Sequence, residues 1–269
     1  MTNFPAFTDH IIALLFGLVM PVVSGLQSAK AFKTLRLDEA QRRRFYISNS
    51  YFLWIMAFVV IINWVLHGRS FDTLGITALP DFNGIVVTLT ATFILLYIAD
   101  TLLTLRNEHE IVKARERWKQ TAPFMPIRYR ELRAYSFMCI SAGICEEILF
   151  RGFLVSYVHT FFIDNRYGEI YTAVIPALAF AAGHYYQGSH AVLKTVVLSA
   201  LFGFIFLYSG SLWIVIILHF AIDLAGGLIS IRYLTDDEHD KKEEAKEEEL
   251  MKDSYEEGNE ESDENEKAE

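Results

Sequence analysis

Cysteine is almost missing from this 269-residue chain, which has two, Cys139 and Cys145, six positions apart in one apolar segment. That spacing is neither a metal-binding nor a redox pattern, and both are read as packed thiols. An H-E-x-x-H pair, which would set two zinc ligands on one helix, is also missing. The opening residues MTNFPAFTDH lack the basic stretch of a secretory signal, and no small-residue cleavage pattern follows, so the first apolar run is expected to stay as a membrane helix. No repeat of solenoid length is present. Runs such as IIALLFGLVMPVVSGL and YFLWIMAFVVIINWVL lack the polar stripe that a soluble helix of that length carries, which speaks against a soluble bundle.

What the chain does have is apolar mass, 52% by the broad count, beside a net charge of −9. The two are segregated. From Asp236 to Glu269 there are 18 acidic and 5 basic residues, a net of −13, which leaves the preceding body at +4. Apolar stretches lie near 10–26, 47–66, 83–105, 134–160, 170–186, 191–208 and 211–231. Most approach the roughly 20 residues needed to cross a hydrocarbon core. The fold class expected is all-α, a polytopic transmembrane helical bundle of about seven to eight membrane segments. It would occupy residues 1–234, with an acidic tail at 235–269 that has too little apolar surface to fold alone. A solvated tail is the ordinary reading of such a charge run, and a binding element for basic partners is the alternative.

Two segments are rich in Lys and Arg: 27–45, with Lys30, Lys33, Arg36, Arg42, Arg43 and Arg44, and 106–133, with eight more. The alternate connections hold one each, Arg69 and Arg166. By the positive-inside rule the rich segments are cytoplasmic, which predicts seven crossings with the N-terminus outside and the C-terminus inside. Tyr46, Tyr185 and Tyr186 are then expected at the inner interface, and Trp64, Tyr208 and Trp213 at the outer one.

Against this apolar background GICEEILFRGF, residues 143–153, holds two glutamates and an arginine. On a helix Glu147 and Arg151 are i and i+4 and can pair, whereas Glu146 is turned about 100° away and needs another partner. An ionisable group at mid-bilayer costs about 2.5 to 3.5 kcal/mol on insertion scales, so polar groups on other helices should face it. Two segments supply them. IPALAFAAGHYY carries His184, with Phe180 one turn earlier, and WIVIILHFAIDLAGG sets His219 and Asp223 at i and i+4. The economical packing turns all of these toward one cavity.

EEILFR is similar to the E-E-x-x-x-R motif, FAAGH to F-x-x-x-H, and HFAID to H-x-x-x-N/D of the CPBP family, the CAAX-protease and bacteriocin-processing (Abi-type) membrane proteins. The motifs follow in that order within residues 146–223, and the N-terminal half has no comparable signature. The resemblance implies peptide-bond hydrolysis within the membrane by a glutamate-activated water. Carried over, Glu146 would hold the water as base with His184 as its partner. His219 and Asp223 would stabilise the developing oxyanion, and Glu147, Arg151 and Phe180 would support the site. Where family members have asparagine, which donates an amide hydrogen bond, Asp223 donates only when protonated.

The same residues admit other readings. Two histidines and a carboxylate form a known catalytic zinc set, and intramembrane Glu and His residues also build proton relays, so a zinc-dependent membrane protease and a non-proteolytic scaffold or proton-coupled carrier stand as alternatives. The polar groups sit in one half, with no matching set in residues 10–105, which is unlike the paired halves of transporters. No cofactor is expected, with zinc as the alternative. The expected partners are the lipid bilayer and a peptide or protein substrate, such as a lipidated or membrane-anchored precursor, and no nucleic acid. The expected location is a multi-pass position in the plasma membrane of a prokaryote.

Overall fold

The computed structural model describes residues 5–234, so the acidic tail at 235–269 lies outside the described residues. Among those described there are eight helices and no strand. They are α1 (Phe7–Ala31), α2 (Glu39–Leu66), α3 (Gly84–Thr104), α4 (Glu108–Thr121), α5 (Leu132–Glu147, continued by Ile148–Val155 and Ser156–Phe162), α6 (Gly168–Gly183), α7 (Ser189–Ser209) and α8 (Trp213–Tyr233).

Local chemistry sets several boundaries. Asp38 and Gln41 cap α2 reciprocally, side chain to backbone, at 2.7 and 2.9 Å. Asn83 accepts from the amides of Ile85 and Val86 at the start of α3, and Asn107 from Glu110 at the start of α4. Gly210, at φ 66°, ends α7 in the left-handed conformation and allows the immediate turn into α8.

Five helices, α1, α2, α3, α7 and α8, are long and apolar enough to cross a membrane. The seven to eight segments expected from the sequence therefore include helices that do not qualify by length and composition alone. α5 carries Glu146, Glu147 and Arg151, and α6 has 16 residues, about 24 Å of helix against a hydrocarbon core of about 30 Å. α4, EHEIVKARERWKQT, is polar and is not one of the apolar set. Large apolar side chains such as Phe58, Ile62, Leu95, Leu102, Leu193 and Ile217 are exposed on the outer surface, which suits lipid and not water.

The connections gather at two ends. At one, the Arg69 guanidinium holds the buried Asp9 carboxylate at 2.6 and 2.8 Å while Asn63 donates to it at 2.7 Å, so α1 is clasped to the end of α2. Asp81 N bonds Ser209 O, and Leu212 N bonds Gly75 O, at the same end. Trp64, Tyr208 and Trp213 lie there: Trp64 donates to Ser70 O, Trp213 to Ile76 O, and Tyr208 O accepts from Asn83. At the other end the two basic segments meet. Arg42 donates to Glu131 at 2.6 and 2.9 Å, the Tyr46 hydroxyl to Phe124 O at 2.7 Å, and the Phe32 ring packs on Phe124 and Tyr186. The aromatic residues assigned to opposite interfaces thus fall at opposite ends.

Candidate active site

The site sits where α5, α6, α7 and α8 converge. Two glycines let α5 and α8 approach closely. A Cβ on Gly143 would stand 3.2 Å from Ile216 O and Phe220 N, and one on Gly227 would run into the Tyr135 ring. Gly143 lies one turn before Glu147, so this contact brings the glutamates against His219. After Glu147 the helix widens to π winding over Ile148–Val155, and all eight of those residues are buried. Such widened turns recur at functional sites, because the extra residue shifts the side chains beyond it around the helix axis.

Arg151 Nη1 donates to Glu147 Oε1 at 2.8 Å with both side chains buried, so the expected i, i+4 pair forms. The guanidinium also donates to Ser199 Oγ at 2.8 Å and lies over the rings of Phe180 and Phe202, its central carbon 4.9 and 5.1 Å from their centroids. Glu147 Oε1 then takes a second contact, His219 Nδ1 at 2.7 Å. With that nitrogen donating, Nε2 is turned toward two further carboxylates, Glu146 Oε2 at 3.7 Å and Asp223 Oδ2 at 3.6 Å. Both are beyond hydrogen-bond length but close enough for direct charge interaction.

His184 caps α6 at its C-terminus. Its Nδ1 lies 3.0 Å from Phe180 O. A carbonyl oxygen only accepts, so Nδ1 carries the hydrogen and Nε2 is left for other chemistry. The Phe180 ring, 4.5 Å from the His184 ring and 6.0 Å from that of His219, separates and orients the two imidazoles.

A cavity of about 180 Å³ opens between these helices, with Phe93, Arg151, Phe180, His184, Ser199, Phe202, His219 and Asp223 on its wall. Glu146 and Glu147 are not on that wall; they reach it through His219. Every residue singled out by sequence is therefore in one neighbourhood, but the glutamates stand behind the histidine and not beside it. The Tyr135 hydroxyl, 3.1 Å from Asp223 O, fixes the backbone of α8 beside the site.

Ser199, Phe202 and Phe93 were not found by sequence reasoning. The serine offered a weak signal, a small polar residue in the apolar run VVLSALFGF, the kind of group that hydrogen-bonds between membrane helices. The two phenylalanines, 4.6 Å apart between ring centroids, offered none among 21. Among the described residues, no group of three or more His, Cys, Asp or Glu side chains is arranged to hold a metal ion. The three carboxylates converge on one imidazole, not on a common point.

Residues 130–225, which include every residue of this cluster except Phe93, match the family model described as type II CAAX prenyl endopeptidase Rce1-like. That match supports membership of the CPBP family. The matched model describes a membrane protease, a hydrolase. No curated protein and no solved structure matches the chain.

Proposed function

We propose that this CPBP-family protein is an intramembrane endopeptidase of the CAAX-protease and bacteriocin-processing type, which hydrolyses a peptide bond with a glutamate-activated water and without a metal. The observation that supports this most directly is the His219 imidazole, held by Glu147 on one nitrogen and presenting the other to Glu146 and Asp223 beside a cavity inside the helical bundle.

Glu146 is the group that takes a proton from water. It has no hydrogen-bonded basic partner of its own, unlike Glu147, which leaves an oxygen for this work. His184, with Nδ1 committed to Phe180 O, offers Nε2 as the second contact for the same water. The water oxygen attacks the scissile carbonyl carbon, and the carbonyl oxygen becomes the oxyanion. His219, supported by Asp223, stabilises that charge, an interaction stronger in a water-poor cavity than in bulk solvent. Glu146 then returns its proton to the leaving nitrogen as the C–N bond breaks, leaving a carboxylic acid and an amine. Glu147 and Arg151 act through His219 and hold it in place.

The apolar part of the wall, Phe93, Leu198, Phe202 and Ile222, suits a substrate delivered from the bilayer, such as a lipidated or membrane-anchored precursor. The end bearing the two basic segments faces the cytoplasm in this reading, and the membrane is a prokaryotic plasma membrane.

The experiment is cleavage of a farnesylated CAAX peptide and of a membrane-anchored peptide by purified protein in nanodiscs. Wild-type protein is expected to cleave one of them, and Glu146→Gln to reduce the rate by orders of magnitude with folding intact. Equal rates for the two proteins would overturn the glutamate mechanism, and no cleavage of either peptide would overturn this substrate class.

A further inference from the structure

Most of the polar side chains on the cavity wall are already committed to one another or to the backbone. Arg151 is held by Glu147 and Ser199, and the serine hydroxyl oxygen is taken by that contact. The Thr195 hydroxyl donates to Ala191 O at 3.0 Å. His184 gives Nδ1 to Phe180 O, His219 gives Nδ1 to Glu147, and Asp223 faces His219. Gln187 is different. It also stands on the wall, its Nε2 donates to the Tyr186 hydroxyl at 3.3 Å, and among the described residues its Oε1 accepts no hydrogen bond.

The fold fixes where that carboxamide stands. Gln187 ends the short 3-10 turn Tyr185–Gln187 that follows α6, and its N bonds His184 O at 2.9 Å. Residues i and i+3 of such a turn eclipse, so Gln187 shares a side with His184, about 6 Å farther along the turn. Gly188, at φ 90°, then redirects the chain into α7. Tyr186 is itself held, its ring packed on those of Phe32 and Phe124 at 5.2 and 6.1 Å between centroids. It fixes one amide hydrogen of Gln187 and leaves the other, with Oε1, for the cavity.

We propose, resting on the peptidase reading, that Gln187 is a substrate-positioning residue whose carboxamide hydrogen-bonds the main chain of the bound peptide about two residues from the scissile bond, with Tyr186 holding the carboxamide in place. A peptide drawn into a water-poor cavity brings N–H and C=O groups that are costly to bury unpaired. A neutral carboxamide, with an acceptor and a donor side by side, answers both. Oε1 accepts from a peptide N–H, and the second Nε2 hydrogen goes to a peptide C=O. The register follows from the spacing: an extended peptide advances about 3.3 Å per residue, so a contact about 6 Å from His184 falls about two residues along the substrate.

The test measures binding in full-length Glu146→Gln protein in nanodiscs, with the farnesylated CAAX peptide and the membrane-anchored peptide each carrying a fluorophore. Ester analogues replace the peptide bonds one at a time, and each removes one N–H. Adding Gln187→Ala is expected to weaken binding about 2- to 10-fold, the range for one neutral hydrogen bond. One ester should weaken it by a similar factor, and in the Gln187→Ala protein that same ester should have no further effect, because both changes remove one contact. Tyr186→Phe keeps the packed ring and should weaken binding less than Gln187→Ala, with no effect once Gln187 is alanine. Unchanged affinity on Gln187→Ala overturns the proposal, as do ester and variant effects that multiply at every bond, or a failure of both peptides to bind. Wild-type protein that cleaves neither peptide while the coupled losses are seen would sink the peptidase reading and leave the Gln187 contact standing.

Discussion

Glu147 Oε1 lies 2.8 Å from Arg151 and 2.7 Å from His219, so one carboxylate oxygen joins the arginine of its own helix to the histidine of α8. The arrangement makes Arg151 an anchor for the His219 imidazole, acting through Glu147. Its loss should be felt in folding and in chemistry together.

Arg151→Ala leaves Glu147 and Ser199 without their shared donor in a buried setting, at a cost of roughly 3 to 5 kcal/mol. Folded yield in detergent and thermal stability are expected to fall along with activity. Ser199→Ala, which removes one neutral acceptor, should cost about 1 to 2 kcal/mol and leave measurable activity. Normal stability of Arg151→Ala would show that the pair does not hold the site.

Glu147→Gln keeps the shape and one accepting oxygen but no longer balances the guanidinium or fixes His219 as firmly. The rate of the chemical step is expected to drop by about 10- to 100-fold, by analogy with losses on removing a supporting partner, with KM little changed. A rise in KM at constant kcat would instead mean that Glu147 acts on substrate binding.

Gly143→Leu should push α5 off α8, because the backbone of Ile216 and Phe220 leaves no room for a side chain. The 2.7 Å contact between Glu147 and His219 would open, and activity should be lost more completely than stability. Gly143→Ala, which asks for a shift of a few tenths of an ångström, is expected to retain part of both.

Glu146→Gln and His184→Ala are expected to inactivate to similar extents, and the double variant to be little worse than either, since residues that act on one water are not additive. A strong chelator should leave the wild-type rate unchanged under the glutamate mechanism. Inactivation by chelator with recovery on adding zinc would favour the metal alternative.

Asp9→Ala breaks the clasp at the opposite end, leaving Arg69 buried beside Trp64, its guanidinium carbon 4.9 Å from the ring centroid. A loss of roughly 3 to 5 kcal/mol in stability is expected, with activity per folded molecule retained, because the clasp joins α1 to the end of α2 and the cavity wall is built from other helices. A fall in specific activity would show that α1 is coupled to the site.

The sequence by itself determined that the chain is helical and lives in a membrane, because unbroken apolar runs of helical length have no other economical solution. It also singled out the candidate site residues: ionisable groups are so disfavoured at that depth that Glu146, Glu147, Arg151, His184, His219 and Asp223 stand out without any structure. The pairing of Glu147 with Arg151 followed from helix periodicity. The tertiary fold decided what periodicity cannot express. That His219 bonds Glu147, and only approaches Glu146, depends on the close passage of α8 over Gly143, a contact between residues 72 positions apart in the case of the histidine and its glutamate. Beyond Glu147 the π winding moves side chains off a 3.6-residue wheel, so the facing of Phe150 and Phe153 was not legible. Ser199, Phe202 and Phe93 owe their place at the site to α3 and α7 folding over it. Nothing in the local sequence of the two phenylalanines separates them from ordinary packing residues, because a buried aromatic looks the same in sequence whichever cavity it faces.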